Sequence, residues 1–95
     1  MRNGGLPVRW SRAAAADLDS IFAYLAEERP DLAEEFVQEL VLAADSLEAF
    51  PYRGRPGRVP GTRELVALSP YIVVYEVTRG GVLILPLWHG RQDRG

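Results

Sequence analysis

From Arg12 to Glu28 the apolar positions fall at Ala14, Leu18, Ile21, Phe22 and Leu25. Steps of three and four place them on one side of a helix, so the span predicts an amphipathic helix with one buried stripe. Ser11, just before it, is a residue type that caps helix N-termini. Asp17 and Asp19 lie in the N-terminal half, where the helix dipole favours acids. A second helix is predicted after the break in "ERPDLAEEF". Pro30 suits a first turn, where its missing N–H is not needed. The stripe Ala33, Phe36, Val37, Leu40, Ala44 and Leu47 carries this helix to about Ala49, and Pro51 stops it. So short a break predicts an antiparallel hairpin whose apolar stripes need a second surface.

That surface is predicted by alternating and apolar runs elsewhere. "PVRWS" is a short strand with Val8 and Trp10 in phase, and "RELVAL", "YIVVYEV" and "VLILPLWH" are three more. Arg79-Gly80-Gly81 offers the positive-φ residues that a tight hairpin uses, so the later strands are expected to pair antiparallel. Pro86 removes a ladder donor, which makes the last strand an edge there or bulges it. The predicted order is β-α-α-β-β-β: an α+β fold, a helical hairpin on a mainly antiparallel sheet. His89 shares phase with Leu83, Leu85 and Leu87, but a bulge at Pro86 reverses its face, and both faces read apolar.

Length and composition bound the rest. Ninety-five residues predict one domain over 1–95, with 1–6 as a flexible leader and 91–95 as a flexible tail. The longest apolar runs are too short to span a membrane, and "MRNGGLP" has no apolar core of a secretory signal. With no cysteine there is no disulfide framework. A cytoplasmic location fits these features.

The net charge of −2 hides a split. Residues 1–50 carry four Arg against ten acids, and residues 51–95 carry seven Arg against three acids. All the basic residues are Arg. Clustered positive charge attracts phosphate or an acidic partner whatever the overall balance. The cluster centres on "YRGRPGRVPG", a Gly- and Pro-rich loop with Arg53, Arg55 and Arg58, followed by Arg63. Arg91 and Arg94 follow the last strand.

Several chemistries are excluded. A P-loop needs a lysine, and none is present. One histidine and no cysteine cannot build the usual structural zinc site, and the acids sit at the spacing of solvated helix faces. No metal and no cofactor are expected. Ser11, Ser20, Ser46 and Ser69 lack a nucleophile elbow. Arginine, one histidine and tyrosines remain. Metal-free RNA cleavage uses such a set: a base for the 2′-OH, an acid for the leaving oxygen, and Arg against charge on the phosphate. His89, Arg63 and Tyr75, or Tyr71 in place of Tyr75, are the candidates for it. The blander reading makes His89 a strand-end anchor and the tyrosines core aromatics.

The chain resembles the RelE/ParE superfamily of bacterial toxins from type II toxin–antitoxin systems. The blocks are "VRWSRAAAADLDSIFAYLA", "AEEFVQELVLAADSLEAFPYRGRPG", "GTRELV", "YIVVYEV" and "VLILPLWHGRQD", in that order over nearly the whole chain. The resemblance implies a helical hairpin on an antiparallel sheet and a cognate antitoxin that wraps the toxin in a hetero-oligomer. It implies one of two targets. RelE-like members cut ribosome-bound mRNA without metal; ParE-like members inhibit DNA gyrase and so replication, a role tied to plasmid stabilization. The acidic balance and the absence of lysine favour the ParE-like branch, because a ribosome binder needs a larger phosphate-neutralising surface. On that branch Arg53, Arg55, Arg58, Arg63, Arg91 and Arg94 are the expected partner-binding residues. A degenerate member that only binds its antitoxin is a further alternative.

Overall fold

The computed structural model describes residues 5–68 and 71–89, with Leu68, Trp88 and His89 described through their backbone. The elements are β1 (Val8–Trp10), α1 (Arg12–Glu28), α2 (Pro30–Asp45), a single 3-10 turn (Ser46–Glu48), β2 (Arg55–Pro56), β3 (Arg63–Leu68), β4 (Tyr71–Thr78) and β5 (Gly81–His89). They form two layers, the α1–α2 hairpin on one face of a five-stranded sheet ordered β1-β5-β4-β3-β2. Three of the four strand pairings are antiparallel, and β1 runs parallel to β5 with Val8 opposite Val82 and Trp10 opposite Ile84. The chain can make that parallel return because the helices and the other strands lie between the two segments, which gives the long crossover a parallel pair requires.

Ser11 caps α1 as its residue type predicts: its Oγ accepts from the Ala14 N–H at 3.1 Å. The two helices are separated by Arg29 alone, and Pro30 opens α2. Two features differ from the periodicity reading. The α-helical ladder of α2 stops at Asp45 and tightens into the 3-10 turn, whose Leu47 keeps its place in the core. Such tightening satisfies the last carbonyls of a helix, and the Ala49 and Phe50 N–H groups both return to the Ser46 carbonyl. Phe22, counted in the α1 stripe, is 43 % exposed. Ile21 and Leu25 already fill that face, and the hundred-degree step to Phe22 carries its ring to the rim.

The pleat and register put Val8 and Trp10 (β1), Val82 and Ile84 (β5), Tyr71, Val73, Tyr75 and Val77 (β4), and Arg63, Leu65 and Ala67 (β3) on the helix-covered face. Ala14, Ile21, Leu40, Ala44 and Leu47 pack against them, with Val73, Tyr75 and Ile84 fully buried. Small residues at Ala14, Ala33 and Ala44 let the helices approach closely; each is almost fully buried.

The Pro86 irregularity is a bulge: between the pairs Val74–Leu85 and Ile72–Trp88, Pro86 and Leu87 together oppose Val73. The Leu87 N–H leaves the ladder and donates to Asp17 Oδ2 at 3.0 Å. Asp17 therefore ties α1 to β5 rather than serving the dipole of the first turn, which holds no acid. The bulge also reverses the backbone phase, so position 89 pairs with Tyr71. At the β4–β5 hairpin the positive φ falls on Gly81 (+138°), where a side chain would run into the Pro7 carbonyl that accepts from Val82 N–H. None of the described helices is long and apolar enough to cross a membrane.

Candidate partner-binding site

The arginine loop between the 3-10 turn and β3 is held by a small number of long-range contacts. Arg63 and Tyr75 are directly paired across β3 and β4, so their side chains share a face. Tyr75 is fully buried, and its hydroxyl oxygen accepts from the Gly54 N–H at 2.9 Å. Arg63 donates from Nε (3.0 Å) and Nη2 (2.7 Å) to the Gly54 carbonyl. Both backbone polar groups of one residue are thus satisfied by the same cross-strand pair. A Cβ on Gly54 would stand 2.7 Å from the Glu64 carbonyl oxygen and from Tyr75 Oη, so glycine is the residue that fits. Arg63 Nη2 also reaches the Tyr52 carbonyl at 3.4 Å, and its guanidinium lies 5.2 Å from the centroid of the Tyr52 ring.

A second brace lies on the opposite face of β3. Glu64 is 6 % exposed although no helix covers that side. Its Oε1 accepts from Arg55 Nε (3.2 Å) and Nη2 (3.1 Å), and its Oε2 accepts from the Arg58 N–H at 3.1 Å. The two-residue strand β2, hidden in the loop's Gly/Pro composition, puts Arg55 opposite Glu64 and so makes this pair possible. Arg53 donates to Ser46 Oγ at 2.8 Å, and that hydroxyl donates to the Ala43 carbonyl at 2.6 Å, which ties the loop to the end of α2. The turn before β3 is closed by Gly57 N–H to the Thr62 carbonyl (2.8 Å) and Thr62 Oγ1 to the Val59 carbonyl (2.7 Å).

The loop is therefore braced through both faces of β3, and it exposes large apolar side chains that the charge pattern did not single out: Phe50 is 64 % and Tyr52 65 % exposed. A signal for them existed in the sequence. Both flank Pro51 just beyond the end of a helical stripe, where a core position is hard to continue.

The expected residues divide. Arg53, Arg55, Arg58 and Arg63 gather around one loop. Arg91 and Arg94 lie outside the described residues. Of the ribonuclease candidates, Arg63 and Tyr75 are brought together, and the backbone of His89 stands apart from both. His89 pairs with Tyr71, four residues along β4 from Tyr75, about 13 Å at the usual strand rise. Arg63 lies across β4 from β5, so the backbones of Arg63 and His89 are roughly 16 Å apart. Tyr71 sits edge-on to Phe36 of α2, ring centroids 5.7 Å apart. Among the described residues no three or more His, Cys, Asp or Glu side chains converge to hold a metal ion.

Two helices on one face of a sheet of this order, with a braced arginine loop at one edge, define a small two-layer α+β scaffold. Residues 8–94 match the family described as the ParE toxin of the type II toxin–antitoxin system parDE, and the chain belongs to that family. It is 42 % identical to Y4kP of Sinorhizobium fredii over 87 residues, 90 % of either chain. It is 39 % identical to toxin RelE2 of Caulobacter vibrioides over 82 residues, which span 86 % of this chain and 92 % of that one. Among solved structures, a chain of the chromosomal ParDE system of P. aeruginosa superposes with a TM-score of 0.81 at 31 % identity, over 92 % of this chain and 98 % of that one. A chain of the RelBE2 toxin–antitoxin complex of Mycobacterium tuberculosis shares the fold, with a TM-score of 0.62 at 24 % identity over 93 % of this chain and 94 % of that one.

Proposed function

We propose that this chain is the toxin of a toxin–antitoxin pair, held inactive by a cognate antitoxin, and that it inhibits DNA gyrase rather than cutting ribosome-bound mRNA. The observation that carries the choice of target is the use made of Arg63. In a ribonuclease its guanidinium would face a phosphate; here it is bonded to the Gly54 carbonyl. Its backbone also pairs with Tyr75, four residues along β4 from the Tyr71 that pairs with His89. A gyrase inhibitor acts by protein–protein contact and needs no such convergence. The overall charge of −2 points the same way, since a ribosome binder neutralises many phosphates. On this reading Arg53, Arg55 and Arg58 at the loop, with Arg91 and Arg94 beyond β5, supply the positive surface for acidic partners.

The runner-up is a RelE-like endoribonuclease, favoured by the 39 % identity to toxin RelE2. A supercoiling assay with purified gyrase beside a translation extract separates the two. Loss of supercoiling with translation intact is expected; arrested translation with full gyrase activity would overturn the choice of target.

A further inference from the structure

Residues 51–63 carry four arginines and no acid, and the nearest carboxylate in sequence, Glu64, is buried and already bonded. Immediately before and within this stretch, Phe50 and Tyr52 stand about two-thirds exposed. A turn links them, since Arg53 N–H donates to the Phe50 carbonyl at 3.2 Å. Exposed aromatic rings among arginines are the composition of interface hot spots, and they bind well only when held in one conformation beforehand. The structure supplies that hold from beneath, through Tyr75 and Arg63 on Gly54 and through Arg63 against the Tyr52 ring.

We infer that Phe50 and Tyr52 form a preorganised docking platform for an acidic protein segment bearing apolar side chains, and that Tyr75 and Arg63 are its positioning residues. The inference rests on the toxin–antitoxin reading, with the antitoxin as the protein that supplies the segment. The partner's apolar side chains cover the two rings, and its carboxylates meet Arg53 and Arg55 at the rim. Single-stranded nucleic acid would also stack on aromatic rings beside arginine. It is disfavoured here because a nucleic-acid strand needs a continuous track of available cations, and two of the four guanidiniums are already bonded, Arg55 to Glu64 and Arg63 to the Gly54 carbonyl.

The test uses the full chain, free and in complex with its co-expressed cognate antitoxin. Oxidative footprinting should protect Phe50 and Tyr52 in the complex, and Tyr52→Ala and Phe50→Ala should each weaken binding about tenfold or more. Tyr75→Phe keeps the ring in the core and removes only the hydroxyl. It should speed amide exchange at Gly54, lower affinity several-fold, and add nothing to the loss already caused by Tyr52→Ala. That non-additivity is what a residue acting through the loop gives and a general loss of stability does not. Equal labelling of both rings in free and bound toxin would overturn the platform. Unchanged affinity in Tyr75→Phe beside a weakened Tyr52→Ala would overturn the positioning role alone. Tighter binding of a fluorescein-labelled oligo(dT) than of the antitoxin, lost in Tyr52→Ala, would give the platform to nucleic acid instead. Absence of any complex with the unaltered chain would remove the antitoxin reading and this inference with it.

Discussion

Arg63 and Tyr75 face one another across β3 and β4, and together they take both backbone hydrogen-bonding groups of Gly54, twenty-one residues before Tyr75. The loop's shape is thereby written into the sheet rather than into the loop. A Cβ at Gly54 has nowhere to go except against the Glu64 carbonyl and the Tyr75 hydroxyl. Gly54→Ala is expected to destabilise by about 1–3 kcal/mol, the usual cost of overpacking. Thermal unfolding should show a midpoint lowered by several degrees.

Leu40 and Leu42 lie two residues apart on α2 and differ by nearly half a helical turn. Leu40 is fully buried and Leu42 is 61 % exposed. Leu40→Ala should cost about 2–5 kcal/mol, a large share of the roughly 5–14 kcal/mol that holds a domain of this size. Leu42→Ala should change stability by no more than about 0.5 kcal/mol. Urea denaturation of the two variants is the check, and equal effects would mean that the hairpin packs with another face inward.

Asp17 reaches from α1 to the Leu87 N–H at the β5 bulge, a contact between residues seventy apart in sequence. Asp17→Ala leaves that donor without its carboxylate and should cost about 1–3 kcal/mol. Amide exchange at Leu87 reads the contact directly: the amide should be protected in the parent chain and exchange much faster in the variant.

Two ion pairs offer a contrast between buried and exposed charge. Arg55–Glu64 joins an exposed guanidinium to a buried carboxylate that also accepts from the Arg58 N–H. Arg29–Asp31, at 3.4 Å, has both side chains more than half exposed. Glu64→Gln should destabilise by about 1–2 kcal/mol, since the carboxylate's charge-assisted bonds are replaced by weaker ones. Asp31→Asn should shift stability by well under 1 kcal/mol, and less still in high salt.

The helices, their capping serine, their hairpin and the three later strands were legible because each rests on interactions between residues a few positions apart. The alternation that made "YIVVYEV" a strand also put Tyr71, Val73, Tyr75 and Val77 on one face, and the packing of the helices made it the covered one. Pro86 announced a break in the ladder, though whether edge or bulge depended on what lay beside it. Tyr75 shows the opposite case. Phase offered it as a core aromatic or as a catalytic partner, and only the position of Gly54 reveals the hydrogen bond its hydroxyl makes. The four loop arginines were visible as charge, but their differing duties were not. Arg63 turns to a carbonyl, Arg55 to a buried acid and Arg53 to a helix-end serine, partners seven to nine residues away across a turn.

By itself the sequence determined the two helices, four of the five strands, the two-layer class and the basic patch, since periodicity, capping and charge are local properties. Tertiary structure alone decided that β1 returns parallel to β5, that Asp17 serves the β5 bulge, and that a glycine inside a loop is gripped from two strands. Those outcomes depend on which distant backbone groups come together when the hairpin closes on the sheet. A buried donor or acceptor must then find its partner wherever the fold has put one.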